Sequence, residues 1–293
     1  MRAVGIILAG GNNNRMKELT HKRAVAAMPI AGSYRSIDFA LSNMTNSHIQ
    51  KVAVLTQYNA RSLNEHLNSS KWWNFGRKQG GLYVFTPTIT NDNGYWYRGT
   101  ADAIYQNMDF LKKSHEPYVV IASGDAVYKM DYGKVLQYHI DKKVDVTVVC
   151  KEMDPSDDVS RFGTIRMDDD MRITEFEEKP MVTKSNMIST GIYVIRRRLL
   201  IDLIEHAAEE ERFDFVNDVL IRYKNLKKIY GYKIDHYWSN IATVDAYYKT
   251  NMDFLKPEVR NYFFKQDPEI LFKKSATCLL QNITRAHLSR TVW

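Results

Sequence analysis

Residues 3–9, AVGIILA, form a continuous apolar run that ends directly in the pair Gly10-Gly11. A short run of this kind is typical of a central strand that is buried on both faces, as in a parallel sheet with helices on either side. The glycine pair lets the backbone approach a ligand closely. The stretch therefore predicts an α/β sheet with a binding loop at the carboxyl end of its first strand.

The same alternation continues through the first half of the chain. Strands are predicted at 51–57, 118–124 and 145–151, and helices at 36–50, 60–68, 101–114 and 132–142. Strand–helix alternation indicates a mostly parallel, doubly wound, Rossmann-like sheet with helices on both faces.

The pattern changes after about residue 155. Short alternating segments at 162–168, 172–180 and 187–195 predict antiparallel strands beside the main sheet, and helices are predicted near 197–210, 214–226 and 244–256. Because ligands of open α/β sheets bind beyond the carboxyl ends of the strands, functional residues are expected in the loops that follow them. Those loops cover residues 10–20, 57–58, 124–128 and 162–163.

Composition excludes several classes of protein. The chain has 293 residues, of which 44% are hydrophobic and 12% aromatic, and such values are not those of a disordered protein. No apolar run approaches the roughly 18 to 20 residues that a membrane span requires, and the N-terminus lacks the pattern of a signal peptide. Cys150 and Cys278 form no disulfide framework or zinc motif, which favours a reducing, cytoplasmic location.

The net charge of +7 comes from dispersed basic residues. Binding to nucleic acid is one interpretation of this charge, but we favour a surface without a nucleic-acid or membrane partner. A phosphorylated small substrate would also favour a mildly positive cleft.

The loop LAGGNNNRM is neither a dinucleotide-binding G-x-G-x-x-G motif nor a P-loop, which ends in G-K-[ST]. Several segments together are more informative. They occur in the order LAGGNNNRMKELTHKRA, SYRSIDFALSN, VLTQY, WYRGTADAIYQN, SGDAVYKMDY, FGTI, FEEKP, STGIYV and YWSNIATVDAYY. Across residues 1–256 this order closely resembles the sugar-nucleotide pyrophosphorylases, and among them the glucose-1-phosphate adenylyltransferase (ADP-glucose pyrophosphorylase) family.

The resemblance implies a nucleotidyltransferase fold and a Mg²⁺-dependent reaction. In that reaction the phosphate of glucose 1-phosphate attacks the α-phosphorus of ATP, which gives ADP-glucose and pyrophosphate for glycogen or starch synthesis. The chemistry requires cations and backbone donors for the triphosphate, a metal held by carboxylates, and a sugar phosphate fixed in line.

The resemblance also assigns residues. The glucose 1-phosphate contacts of the family match Tyr97, Gly163, Glu178, Lys179 and Ser189, and the nucleotide contacts match Leu8, Ala9, Gly10, Gly11, Gln57, Gly99 and Thr100. Arg15 and Asp125 match catalytic positions, and Asp125 matches the principal Mg²⁺ ligand. A lysine such as Lys179 suits a phosphate, while Glu178 and Ser189 can hydrogen-bond sugar hydroxyls.

On the triphosphate and metal side the chain departs from the family pattern. Asn13 and Asn14 replace Gly-Thr, Val25 replaces a phosphate-binding lysine, and Ala126 replaces a histidine. Asn240 replaces the second metal carboxylate, and a neutral amide binds Mg²⁺ far less well than a carboxylate.

These departures favour a subunit with weak or no catalysis of its own. It resembles the regulatory subunit that, in some Gram-positive bacteria, forms a hetero-oligomer with a catalytic ADP-glucose pyrophosphorylase subunit. Expected ligands are glucose 1-phosphate and possibly ATP or ADP-glucose. The alternatives are an active adenylyltransferase, a sugar-phosphate sensor module and, more remotely, a Rossmann oxidoreductase.

Residues 257–293 are interpreted as a C-terminal tail, separate from a nucleotidyltransferase-like domain at 1–256. Family members continue into a left-handed β-helix of hexapeptide repeats, and the tail has no such periodicity. The β-helix is therefore expected to be absent or truncated, and residues 267–293 are either a native end or the product of a truncated or frame-shifted coding region.

Overall fold

The computed structural model describes residues 2–11, 14–68, 73, 75, 80–88, 94 and 96–264. Asn13, Cys278 and the part of the predicted tail beyond residue 264 lie outside these residues.

Strands are described first, in chain order. They are β1 Ala3–Ala9, β2 Pro29–Ile30, β3 Tyr34–Arg35, β4 Lys51–Thr56, β5 Gly81–Phe85, β6 Tyr118–Ser123, β7 Ala126–Tyr128, β8 Val146–Glu152, β9 Gly163–Met167, β10 Ile173–Glu178, β11 Met187–Arg196, β12 Ile229–Ile234 and β13 Trp238–Asn240.

Helices connect these strands. They are α1 Ser36–Asn46, α2 Arg61–Leu67, α3 Thr100–Gln106, α4 Met108–Lys112, α5 Tyr132–Asp141, α6 Arg197–Glu209, α7 Val244–Asp253 and α8 Pro257–Phe264, with 3₁₀ turns at Asn14–Thr20 and Val25–Ala27 and a π-helix at Phe215–Ile221.

The main sheet has the strand order β12-β8-β11-β6-β1-β4-β5. Strands β6, β1, β4 and β5 are mutually parallel, as are β8 and β12, whereas β11 is antiparallel to both β6 and β8. The β9–β10 hairpin joins the edge of β11 through Ile188 and Thr164. The predicted α/β fold with a mostly parallel sheet and added antiparallel strands is confirmed.

Strand β1 alternates between two apolar cores. Ala3 and Ile7 pack into a cluster with side chains of α1, α2 and α5, whereas Val4 and Ile6 pack into a second cluster with side chains of α3, α4 and α6. A strand that is buried on both faces must be apolar at every position, because neither set of side chains reaches water. This explains why AVGIILA is continuous rather than alternating.

Several predicted elements differ from the sequence-based expectations. The first predicted helix ends at Asn46 rather than residue 50, because His48 has a φ of 60° and the chain turns there. The helix predicted at 101–114 is two helices that meet at Asn107. Strand β11 lies inside the sheet between β6 and β8, so the expected position beside the sheet is wrong for this strand.

The central part of β11 carries a bulge. Ser189 lies opposite Cys150 and Tyr193 opposite Val148, so three residues of β11 face a single residue of β8. Gly191 lies in this bulge with a φ of 75°, a conformation that side-chain-bearing residues rarely adopt. The bulge brings Gly191 next to the Ser123 side chain at the carboxyl end of β6.

A third apolar cluster reaches beyond the predicted boundary at residue 256. Phe263 of α8 is fully buried, with its ring centroid 5.4 Å from that of Phe39 and 5.0 Å from that of Phe254. The same cluster contains Val25, from the turn Val25–Ala27, and Ile241, which directly follows β13. Helix α8 therefore shares an apolar core with these two segments. Across the part of the chain that the structure describes, no helix is both long and apolar enough to span a membrane.

We predict that Phe263→Ala lowers the free energy of unfolding by about 3 to 5 kcal/mol, because the lost ring leaves a cavity among aromatic neighbours. Leu255→Ala is the control, since Leu255 is 61% exposed and its removal should change stability by under about 0.5 kcal/mol. Urea denaturation followed by circular dichroism measures both. Equal, small effects of the two substitutions would mean that α8 does not stabilise the domain.

Candidate active site

The carboxyl ends of β1, β4 and β6 open into one cleft of about 700 Å³. It is lined by most of the predicted site residues, which are Leu8, Ala9, Gly10, Gly11, Arg15, Gln57, Tyr97, Gly99, Thr100, Asp125 and Lys179. The parallel strands end at the same edge, so loops that are far apart in sequence converge there. We call this space the cleft.

Asp125 and Asn240 lie side by side on one wall of the cleft. The short strands β7 and β13 pair antiparallel, which places Asn240 opposite Ala126, and the Ile241 N–H donates to the Asp125 carbonyl oxygen at 3.0 Å. The Ser123 hydroxyl donates to Oδ1 of Asp125 at 2.5 Å, and Oδ1 of Asn240 accepts the Ala242 N–H at 3.0 Å. The structure thus brings together the two positions at which the family pattern has its metal carboxylates.

Gln57 fixes the backbone of Tyr97 through both ends of its amide. Its Oε1 accepts the Tyr97 N–H at 2.7 Å, and its Nε2 donates to the Tyr97 carbonyl at 3.3 Å. The Tyr97 hydroxyl accepts a hydrogen bond from Asn107 at 2.9 Å, and burial raises the pKa of Tyr97. The interruption between α3 and α4 therefore has a role at the cleft, because Asn107 holds the Tyr97 ring.

Gly99 lies where two backbone segments meet. The Phe213 carbonyl accepts the N–H groups of Ala101 and Asp102, and a Cβ on residue 99 would collide with that carbonyl oxygen. Thr100 Oγ1 accepts the Phe215 N–H at 2.9 Å, which joins α3 to the π-helix. Glycine is required at this position by the close approach of Phe213.

The predicted sugar-side residues are only partly in the cleft. Lys179 lines it and forms an ion pair with Glu178 at 3.0 Å, and the Lys179 N–H donates to the Phe162 carbonyl at 3.1 Å. Gly163, Glu178 and Ser189 do not line the cleft. Gly163 and Glu178 are in contact behind Lys179, where Oε2 of Glu178 would lie 2.8 Å from a Cβ on residue 163.

Ser189 does not touch the cleft itself but contacts Tyr193, which does. Its hydroxyl is within 3.2 Å of the Tyr193 hydroxyl, and the Tyr193 side chain lines the cleft beside Gly191. Burial raises the pKa of Tyr193 further above its usual value. Tyr193 and Phe215 are cleft residues that the sequence reasoning missed, because both carry the ordinary signature of core aromatics.

The charge of the cleft comes from four basic side chains. Arg15, Arg98, Arg161 and Lys179 line it, and among its described lining residues Asp125 is the one acid. Arg161 was not predicted as a site residue, because the segment DDVSR before the FGTI motif belongs to none of the family motifs.

Val25 also lines the cleft and packs in the third apolar cluster, with 8% of its surface exposed. The position that carries a lysine in the family pattern therefore presents an apolar surface to the cleft.

The donor set for a magnesium ion is small. Across the described residues there is no group of three or more His, Cys, Asp and Glu side chains that could hold a metal ion. Magnesium is commonly bound by one or two carboxylates together with substrate phosphates. Asp125 fits such a shared site, and the Asn240 amide offers a weaker oxygen donor beside it.

The fold and this cleft agree with the results of sequence comparison. Residues 4–257 match the family model described as Nucleotidyl transferase. That range includes the main sheet except for Ala3, the first residue of β1, and every residue that lines the cleft. The class of the protein is therefore a nucleotidyl transferase.

Individual relatives narrow this class. The chain is 42% identical over 255 residues to a glucose-1-phosphate adenylyltransferase of Clostridium novyi, covering 86% of this chain and 66% of the relative. It is 40% identical over 256 residues to the one of Thermosipho melanesiensis, covering 87% and 62%, and 41% identical over 260 residues to the one of Bacillus thuringiensis, covering 88% and 69%. The chain spans about two thirds of the length of these relatives. It belongs to the glucose-1-phosphate adenylyltransferase family.

We predict that Gly99→Ala destabilises the protein by about 1 to 3 kcal/mol, because the added methyl group displaces the Phe213 carbonyl. Gly11→Ala is the matched control, since a Cβ there meets no atom within 4 Å. The free energies of unfolding of both variants, measured in urea, provide the comparison. If Gly99→Ala is as stable as Gly11→Ala, the contact between residue 99 and Phe213 does not constrain the fold.

Proposed function

We propose that the chain is a glucose-1-phosphate adenylyltransferase-type subunit of ADP-glucose and glycogen biosynthesis that has weak or no catalysis of its own. The observation that carries this proposal is that, among the described residues that line the cleft, Asp125 is the one carboxylate and lies beside the neutral Asn240. In this proposal the chain acts in the cytoplasm as the regulatory partner of a catalytic ADP-glucose pyrophosphorylase subunit, within a hetero-oligomer.

The sugar side supports binding of glucose 1-phosphate. Lys179 presents a charged amine to the cleft and is 61% exposed, so it can turn from Glu178 towards a phosphate. Release of the Glu178 carboxylate would then leave an acceptor for sugar hydroxyls next to the cleft. Tyr97 and Tyr193 would limit the space around the ring, and Ser189 would act through its contact with the Tyr193 hydroxyl. Gly163 is needed because Phe176 and Glu178 lie too close for a side chain at that position.

The nucleotide side supports a weaker association. Gly10 and Gly11 offer backbone at the end of β1, Gln57 holds the loop that contains Gly99, and Arg15 supplies a positive charge. ATP or ADP-glucose would lie along these residues. Val25 contributes no charge to a triphosphate, which is consistent with reduced turnover.

Mg²⁺ is the cofactor that the family implies. Asp125, with the Asn240 amide beside it, would hold the ion together with nucleotide phosphates. When bound, the ion would neutralise charge that develops on the phosphates. The residues of this chain would then have to orient the sugar phosphate and the nucleotide in line, for which Lys179 and Arg15 are placed at the cleft.

An active glucose-1-phosphate adenylyltransferase is the second candidate. The observation that favours it is Arg161. This arginine lines the cleft in addition to Arg15 and Lys179, the two basic residues that the family pattern assigns to the site. Such an enzyme would convert ATP and glucose 1-phosphate to ADP-glucose and pyrophosphate. Asp125 would then be the one carboxylate that holds the metal ion.

We predict that the unaltered chain binds glucose 1-phosphate and that Lys179→Gln weakens this binding by about 1.5 to 3 kcal/mol, as expected for a charged hydrogen bond. Titration calorimetry measures the two affinities. Lys184→Gln is the control, because Lys184 lies in the same connection between β10 and β11 but pairs with Glu177 and does not line the cleft. No binding to the unaltered chain would discard the functional sugar site.

We also predict that restoring the family pattern restores catalysis. Asn240→Asp returns the second carboxylate and Val25→Lys returns the cation, and the loop changes Asn13→Gly and Asn14→Thr complete the pattern. The single changes should have little effect, whereas the combination should raise ADP-glucose formation by orders of magnitude, because ligands of one triphosphate–metal complex act together.

The control for added charge is Asn225→Asp, at an exposed position that does not line the cleft. Turnover is measured with and without a catalytic partner subunit. Robust pyrophosphorolysis by the unaltered chain, abolished by Asp125→Asn, would overturn the regulatory assignment in favour of the active enzyme.

A further inference from the structure

Arg161 is held at the cleft by contacts with the protein. Its Nη1 donates to Oγ1 of Thr243 at 3.2 Å, and its guanidinium carbon lies 4.7 Å from the centroid of the Phe162 ring. The side chain is half-buried and lines the cleft together with Asp125 and Asn240. A guanidinium that is fixed on two sides loses little further freedom when it binds a ligand.

The surroundings of Arg161 differ from those of the neighbouring cations. Arg98 forms an ion pair with Asp102 and stacks on Phe213, and Lys179 is paired with Glu178. Burial lowers the pKa of Arg161, and the positive charge of Arg15 acts in the same direction. Asp158, Asp125 and Asp157 oppose this effect, and Asp158 is exposed to solvent.

Arg15 and Arg161 therefore both line the cleft, together with Asp125. Like charges that face one cleft repel each other, and an anion between them relieves that repulsion. The planar guanidinium has five N–H donors, of which Thr243 accepts one in the contact described, and its shape matches two oxygens of a phosphate.

We propose that Arg161 binds a phosphate group of the substrate and, with Arg15, supplies the positive charge that Val25 does not provide. This inference rests on the proposed function, because that function brings phosphorylated substrates into the cleft. Two sources share this chemistry: the polyphosphate of the nucleotide and the single phosphate of glucose 1-phosphate. The position beside Arg15 and Asp125 favours the nucleotide.

The test is titration calorimetry of the full chain with ATP and, separately, with glucose 1-phosphate. Arg161→Gln should weaken ATP binding about 10- to 100-fold, the loss expected for a charge-assisted hydrogen bond, and leave glucose 1-phosphate binding within about twofold. Arg161→Lys should restore part of the affinity, because it retains the charge but not the planar fork.

Arg166→Gln is the matched control. Arg166 lies on β9, five residues after Arg161, is exposed, and pairs with Glu175 rather than lining the cleft. Thermal unfolding of each variant, followed by circular dichroism, separates loss of binding from loss of fold.

The outcomes are distinct. Weaker binding of ATP in Arg161→Gln supports the proposal with the nucleotide as the source, and weaker binding of glucose 1-phosphate alone supports it with the sugar phosphate as the source. If the unaltered chain binds either ligand and a folded Arg161→Gln variant binds as tightly, Arg161 is not a phosphate ligand, while the proposed function stands. If the unaltered chain binds neither ligand, both proposals fail.

Discussion

The rest of the structure depends on the pairing of β1 with a parallel strand on each side. Leu8 lies opposite Leu55 of β4 and Ser123 of β6, so three strands end at one level of the sheet. Because both faces of β1 are apolar, helices must cover the sheet on each side, and the polar residues of the loops are left at the strand ends. The cleft is thus a consequence of a seven-residue apolar strand.

Much of this architecture follows from the sequence, for reasons that particular residues make clear. Strands β1, β4, β6 and β8 are buried apolar runs, and a continuous run has few other interpretations at that length. Strand β5 was missed because it is half-buried and lies at the edge of the described sheet. The early end of α1 depends on the left-handed His48, and the position of β11 depends on partners that its own pattern does not specify.

In the candidate site too, some residues could be predicted from the sequence and others could not. Asp125 and the Gly10-Gly11 pair follow predicted strands, so their convergence could be expected from topology. Arg161 could not be found, because its place in the cleft is set by Thr243, a residue 82 positions away. Asn240 meets Asp125 only through the three-residue strands β7 and β13, which are too short to leave a periodic signal.

The position of β11 also determines the order in which strands can join the sheet while the chain is being synthesised. Strand β8 is complete at residue 152, but its partners are β11, which ends at residue 196, and β12, which ends at residue 234. Until β11 has left the ribosome, β6 presents an unpaired edge and β8 has no place in the sheet. An open edge of buried, apolar strands is a template for wrong pairing. Strand β11 pairs with both β6 and β8, so its addition joins the two halves of the sheet and covers the exposed edge of β6.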